Sequence, residues 1–105
     1  MKIPNSVRIG TYDYEVQIKE GPIISSDGSR VCYGTISYDA GLIEIDSELQ
    51  DEQHQKVTFL HEVVHGIVKD KNIDFENQNE EEIVELFAMS LYTLIRDNKE
   101  MFTDN

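Results

Sequence analysis

The chain has 105 residues, a formal net charge of −12 and a single cysteine. An acidic surface of this kind repels phosphate backbones, so we expect no direct binding to nucleic acid. One cysteine cannot form an internal disulfide, and neither an apolar signal segment nor a membrane span is present in the sequence, so we expect a cytoplasmic protein. The length predicts one domain over residues 1–98, followed by a flexible C-terminal tail at residues 99–105.

The first half of the chain predicts strands. Residues 7–18 are rich in β-branched and aromatic side chains that alternate with polar ones. Residues 20–30 contain Gly, Pro and an Asp-Gly pair and predict a loop, whereas residues 31–37 and 42–46 flank a short turn and predict a hairpin. Because the connections are short, we expect a small antiparallel sheet of three to four strands within residues 7–46.

The second half of the chain predicts two helices, over about residues 48–69 and 80–97. Apolar residues recur there every three or four positions, as on the buried face of a helix. Ser47, as part of a capping box, or Asp51 begins the first helix, and Asn79 caps the second. The predicted fold class is therefore α+β, with a small sheet followed by two packed helices.

The first of these helices carries the motif HEVVH. His61 and His65 lie four residues apart, so one face of the helix can direct both imidazoles to a single point. Glu62 lies about 100° around the helix from His61, close enough to take a proton from water on a metal ion and to deliver it to a leaving amine. Apolar residues surround the motif, and two buried histidines without partners would be costly. The sequence therefore predicts a Zn²⁺ site with Glu62 as general base and acid.

Two histidines leave such a site incomplete, because catalytic zinc usually has three protein ligands. His54, the other histidine, is two helical turns before His61 and roughly 10 Å away along the axis. The chain has no second cysteine. A carboxylate from the acidic start of the second helix, within residues 79–92, must therefore supply the third ligand.

Helical geometry ranks the four glutamates at this position. Glu81 shares the inward face, so we predict that it binds the metal, and Glu85, one turn later, is the alternative ligand. If Glu81 binds the metal, Glu85 is expected to accept a hydrogen bond from a ligand histidine. Glu82 has a structural explanation in the capping box, and Glu80 is expected to face solvent in the first turn.

These segments resemble the gluzincin metallopeptidases, and more closely the small ImmA/IrrE-like proteins of bacteria, phages and mobile elements. The resemblance rests on FLHEVVHGI (59–67), EEIVELFAMSLYTLIRDN (81–98) and YGTISYDAGLIEID (33–46). Glu81 and Glu85 match the order of the family's glutamate ligand and the acidic or amide residue four positions later. The chain departs from the pattern at Ile83-Val84, where the family often has Glu-Ala. The resemblance implies a minimal zincin-like fold and a zinc-dependent endopeptidase that in some members cleaves a DNA-binding repressor.

The sequence thus favours a zinc metallopeptidase that acts on a protein or peptide, with a basic, repressor-like partner as one fitting substrate. The alternative function is a catalytically weak or inactive zinc-stabilised module that binds protein. Residues 42–46 are expected either to form a sheet edge, to which a substrate peptide can add, or to pair on both sides. The sequence predicts no particular oligomeric state.

Overall fold

The computed structural model describes residues 1–103, in which six strands precede two long helices. The α+β fold class is confirmed. The strands are β1 (Ser6–Ile9), β2 (Tyr12–Lys19), β3 (Ile23–Ile24), β4 (Val31–Cys32), β5 (Gly34–Ser37) and β6 (Leu42–Asp46). The helices are α1 (Glu52–Lys71) and α2 (Glu80–Asp97), followed by a short 3-10 helix at Lys99–Phe102.

Four of the strands form a mixed sheet in the order β1-β2-β6-β5. The β1–β2 and β5–β6 pairs are antiparallel, but β2 and β6 run parallel, so the expectation of a purely antiparallel sheet was wrong for this pair. Residues 20–41 separate the two parallel strands, and a connection of this length permits the crossover that a parallel pair requires. Ile43 and Ile45 of β6 have no exposed surface, which fits the central position of this strand.

The remaining two strands form a separate ribbon in which β3 pairs antiparallel with β4. The sequence predicted a loop at residues 20–30 and one continuous strand at 31–37. Instead, Ser25 and Ser29 both donate hydrogen bonds to Asp27 Oδ1 in a tight turn that folds the chain back, and the predicted strand at 31–37 is interrupted at Tyr33. One face of this ribbon is anchored in the protein, because Ile23 is only 2% exposed.

Helix α1 packs on one face of the mixed sheet. It begins after Asp51, whose side chain accepts a hydrogen bond from the amide of His54, so the second of the two predicted caps is the one that is used. Gly66 allows a close approach to the sheet, because a Cβ there would lie 2.7 Å from Ile9 Cδ1 and 3.2 Å from Ile36 Cδ1. This contact fixes the position of the adjacent His65 relative to the strands.

Helix α2 packs mainly on α1 through Val84, Ala88 and Tyr92, all of which are buried. Its start is fixed by Asn79, whose side chain accepts a hydrogen bond from the amide of Glu82, as the sequence predicts. Residues 99–102 of the predicted tail form the 3-10 helix, and residues 104 and 105 lie outside the described residues. Neither α1 nor α2 combines the length and the apolar character that crossing a membrane requires.

Candidate metal centre

His61, His65 and Glu81 converge where the start of α2 crosses the middle of α1. The two histidine Nε2 atoms are 3.1 Å apart. The carboxylate oxygens of Glu81 lie 3.2 Å from His61 Nε2 and 2.5 Å from His65 Nε2. Both imidazoles are largely buried, with side-chain exposures of 13% and 11%, whereas the Glu81 side chain is 65% exposed.

These separations fit a single small cation. Zinc with tetrahedral ligands at 2.0–2.1 Å would place each pair of ligand atoms about 3.3–3.4 Å apart. The distance between the two Nε2 atoms and that from His61 to Glu81 are within about 0.3 Å of this value. His65 Nε2 contacts the other oxygen of Glu81, and this distance would have to lengthen by about 0.8 Å through movement of the exposed carboxylate. Two imidazoles and a carboxylate are also the donor set of many catalytic zinc sites.

The opposite ring nitrogens of the two histidines contact two further glutamates of α2. His61 Nδ1 is 2.8 Å from Glu85 Oε2, and His65 Nδ1 is 2.8 Å from Glu80 Oε2. In neutral imidazoles these Nδ1–H groups donate to the carboxylates, which leaves a lone pair on each Nε2. Two lone pairs and the carboxylate of Glu81 then face one point, an arrangement that a cation stabilises.

Glu62 lies beside this centre and is itself buried, with 6% of its surface exposed. Burial raises the pKa of its carboxyl to about 7, the nearby His61 opposes this rise, and the negative charges of Glu81 and Glu85 add to it. A carboxyl group with a pKa near neutrality can both accept and release a proton under physiological conditions.

Gly34 of the sheet provides the space above Glu62. A Cβ at position 34 would lie 2.5 Å from Thr58 Cγ2, 3.1 Å from the carbonyl oxygen of Glu44 and 3.5 Å from Glu62 Oε2. A larger residue would therefore press on α1 one turn before the HEVVH motif and would reduce the gap between β5 and Glu62.

A cleft of about 760 Å³ opens over the centre. Strand β5 and the residue on each side of it form one wall, and the β3–β4 ribbon forms another through Ile24, the turn residues Ser25, Ser26 and Arg30, and β4. The side facing β5 is formed by α1 and the start of α2, and the cleft residues from these two helices are Thr58, His61, Glu62, His65, Glu80, Glu81 and Glu85.

Strand β5 has one open edge, and its residues line this cleft. Within residues 1–103, no strand pairs with the outer side of β5, whereas β6 pairs on both sides, as one of the two alternatives for residues 42–46 predicted. The carbonyl of Tyr33 accepts a hydrogen bond from the amide of Asp46. Because alternate residues of an antiparallel strand bond to the partner strand, Gly34 and Ile36 direct their peptide groups to the open edge.

The structure thus brings together His61, Glu62, His65 and Glu81, and it places Glu85 on a histidine, where the sequence predicted a supporting acid. The expectation that Glu80 faces solvent was wrong, since its carboxylate reaches His65 although the side chain is 43% exposed. The position of Glu80 just after the Asn79 cap and next to Glu81 was the signal in the sequence for a role at the centre. Its contact with His65 could not be predicted, because it depends on how the two helices cross. His54 is exposed and bonded to Asp51, away from the centre.

Comparison with known proteins adds no relative: no family model, curated protein or solved structure matches the chain.

Proposed function

We propose that the protein is a zinc-dependent peptidase. The observation that carries this proposal is the convergence of His61, His65 and Glu81, each of which offers one ligand atom within 4.8 Å of the others, at the floor of an open cleft. Glu62, which is buried beside them, is the further acidic group that hydrolysis requires and that a purely structural metal site does not.

Each residue has a distinct role in this proposal. His61, His65 and Glu81 hold the ion, and the carboxylates of Glu85 and Glu80 keep the two imidazoles in the tautomer that presents Nε2 to it. A bound zinc ion supplies Lewis-acid chemistry, since it polarises a carbonyl oxygen and lowers the pKa of water. Glu62 accepts the proton of the attacking water and returns it to the leaving amine.

The substrate we propose is an extended peptide segment. The open peptide groups of Gly34 and Ile36 can pair with such a segment as an additional strand, which would hold its backbone along the cleft beside Glu62. The cleft is lined by four glutamates, Glu62, Glu80, Glu81 and Glu85, and by one basic residue, Arg30, so its acidic groups outnumber Arg30 and the two charges of a zinc ion and favour a segment with basic residues. A basic, repressor-like protein, which the family resemblance implies, fits this description.

The cytoplasm is the location we propose, because the single cysteine, Cys32, is free and no disulfide contributes to the fold. A second function, a zinc-stabilised module that binds a partner without cutting it, would use the same cleft. The burial of an ionisable Glu62 against Gly34 favours the peptidase, since a binding module gains nothing from that cost.

The test of the proposed function compares the zinc-loaded protein with its Glu62→Gln variant on a peptide library, with cleavage read by mass spectrometry. We expect the wild-type chain to cut a subset of peptides and the variant to retain zinc but lose at least 10²-fold of the cleavage rate. His54→Ala, which changes a histidine outside the centre, should cut like the wild type. Equal cleavage by the Glu62→Gln variant, or no cleavage by any zinc-loaded form, would contradict the proposal.

A further inference from the structure

The β3–β4 ribbon has one buried and one exposed apolar face. Ile23 pairs with Cys32 and Ile24 pairs with Val31, so the two cross-strand pairs point to opposite sides of the ribbon. Ile23 is 2% exposed, whereas Ile24 and Val31 are 47% and 55% exposed. Adjacent β-branched side chains on one face form a continuous apolar surface that the fold itself leaves uncovered.

This exposed face belongs to the cleft over the metal centre. Ile24 and Val31 line the cleft together with Tyr33, which is 61% exposed and directly precedes β5. By contrast, exposed apolar side chains of α2, such as Leu86 and Met89, do not line the cleft. The apolar surface of the ribbon is therefore continuous with the open edge of β5.

We propose that Ile24, Val31 and Tyr33 form a subsite that selects a bulky apolar side chain of the peptide held by β5. This inference rests on the proposed function for the position of the peptide, and it adds the class of residue that the cleft recognises. Side chains of an added strand alternate between its two faces, so apolar residues at alternate positions can contact the ribbon while the basic residues between them face the acidic side of the cleft. The preferred segment is thus apolar and basic in alternation.

Charge and shape favour such a peptide over a second copy of the chain as the occupant. Two copies would each carry a net charge of −12 and would repel one another, whereas a basic segment is attracted to the acidic wall of the cleft. The histidines at the floor of the cleft are only 11–13% exposed, so a narrow extended chain reaches them more readily than a folded surface does.

The test uses labelled octapeptides of alternating lysine and alanine in which one central alanine is replaced by leucine or by glutamate. Affinity is measured by fluorescence anisotropy on zinc-loaded Glu62→Gln protein, which leaves the peptides uncut. We expect the leucine peptide to bind about 10-fold more tightly than the alanine peptide, because leucine buries more apolar surface against the ribbon than alanine does. The glutamate peptide should bind most weakly.

The double substitution Ile24→Thr and Val31→Thr preserves β-branched side chains and should reduce this preference for leucine to less than about 3-fold. Tyr33→Ala, at a more exposed position, provides a second variant with the same expected direction. The matched control, Leu86→Ala with Met89→Ala, removes exposed apolar side chains outside the cleft and should leave the preference intact.

The subsite would be overturned if the preference for leucine were undiminished in both the Ile24/Val31 double variant and Tyr33→Ala. An equal loss of this preference in the Leu86/Met89 control, or no binding of any peptide, would overturn it as well. The peptide library distinguishes this failure from failure of the proposed function. If the leucine preference depends on the ribbon but the wild type cuts nothing, the subsite stands and the peptidase is wrong. If the wild type cuts peptides and the preference for leucine does not depend on the ribbon, the peptidase function stands and the subsite is wrong.

Discussion

Glu62 is a buried carboxyl group that a stable fold alone would not select. It lies on α1 between His61 and a run of apolar residues, and the sheet covers it at Gly34. Burying a carboxylate without a matched cation opposes folding, because its ionised form loses hydration. In the metal-free protein this cost depends on pH, since the carboxyl can remain neutral below its raised pKa.

Replacing Glu62 by glutamine should therefore stabilise the metal-free protein at high pH. Below the ordinary pKa of 4.5 the carboxyl is protonated in both the folded and the unfolded chain, and its titration costs nothing. Stability is lost as the pH rises from 4.5 through the folded pKa of about 7, by at most about 3 kcal/mol. Denaturant unfolding in a chelator at pH 4 and pH 8 should show a gain for Glu62→Gln over the wild type only at pH 8. A gain of the same size at both values would contradict the assignment.

The glutamates that hold the imidazoles should control metal affinity. Glu80→Gln and Glu85→Gln each weaken the acceptor for a histidine Nδ1–H, so we expect the zinc dissociation constant to rise about 10- to 100-fold. Glu81→Gln, which removes a ligand, should raise the zinc dissociation constant more than either of these substitutions. Competition titration with a chromophoric chelator measures all of these values.

Glu82→Gln is the matched control for this series. It removes the same charge from the same helical turn, but its contact at the helix start is through its backbone amide and Asn79. We expect its zinc affinity to stay within about 3-fold of the wild type. Equal losses in Glu80→Gln and Glu82→Gln would show that net charge, rather than the bond to His65, sets the affinity.

Among the secondary-structure elements, β5 connects the sheet to the centre. Gln50 donates to the carbonyl of Tyr33, just before β5, and accepts from the hydroxyl of Thr58 on α1. The start of the strand is thus held at a fixed distance from the helix, and Gly34 fits into the narrow space between them. Packing of this kind positions the edge strand relative to Glu62.

Gly34→Ala should destabilise the protein by about 1–3 kcal/mol, because its Cβ would overlap Thr58 Cγ2. The second substitution Thr58→Ser removes that methyl group and should restore part of the loss. The contact with the Glu44 carbonyl remains, so restoration should be incomplete. Denaturant unfolding of the single and double variants measures the effect. An equal free energy of unfolding for Gly34→Ala and the wild type would contradict this account.

The sequence predicted the elements better than their pairing. Both helices have local signals, namely apolar residues at helical spacing and the caps Asp51 and Asn79, and both lie close to the predicted ranges. The parallel pairing of β2 with β6 has no local signal, because it depends on the path of the chain between them. The position of Glu81 and Glu85 on the helix was likewise a local signal, and it was enough to predict that both lie at the centre. The contact of Glu80 with His65 has no such signal, because it depends on how the two helices cross.

At the scale of the whole molecule, the metal centre links α2 to the rest of the fold. Helix α2 packs mainly on α1, and three of its glutamates reach the histidines of α1. A chain of this length has a modest core, so a metal that binds only the folded state should contribute strongly to stability.

Removal of zinc should therefore lower the thermal unfolding midpoint. A free zinc concentration 1,000 times the dissociation constant stabilises the folded state by about 4 kcal/mol. Differential scanning calorimetry with zinc and with a chelator should show a clear decrease for the wild type, whereas His61→Ala should unfold at the same temperature in both. An unfolding midpoint of the wild type that does not respond to zinc would show that zinc binding at the centre does not stabilise the fold.

The most direct test of the central claim is the number of zinc ions bound per chain, measured by equilibrium dialysis and elemental analysis. We expect one ion for the wild type and for His54→Ala, and none for the double variant His61→Ala with His65→Ala. A wild-type chain that binds no zinc, or a double variant that still binds one ion, would contradict the assignment of the centre.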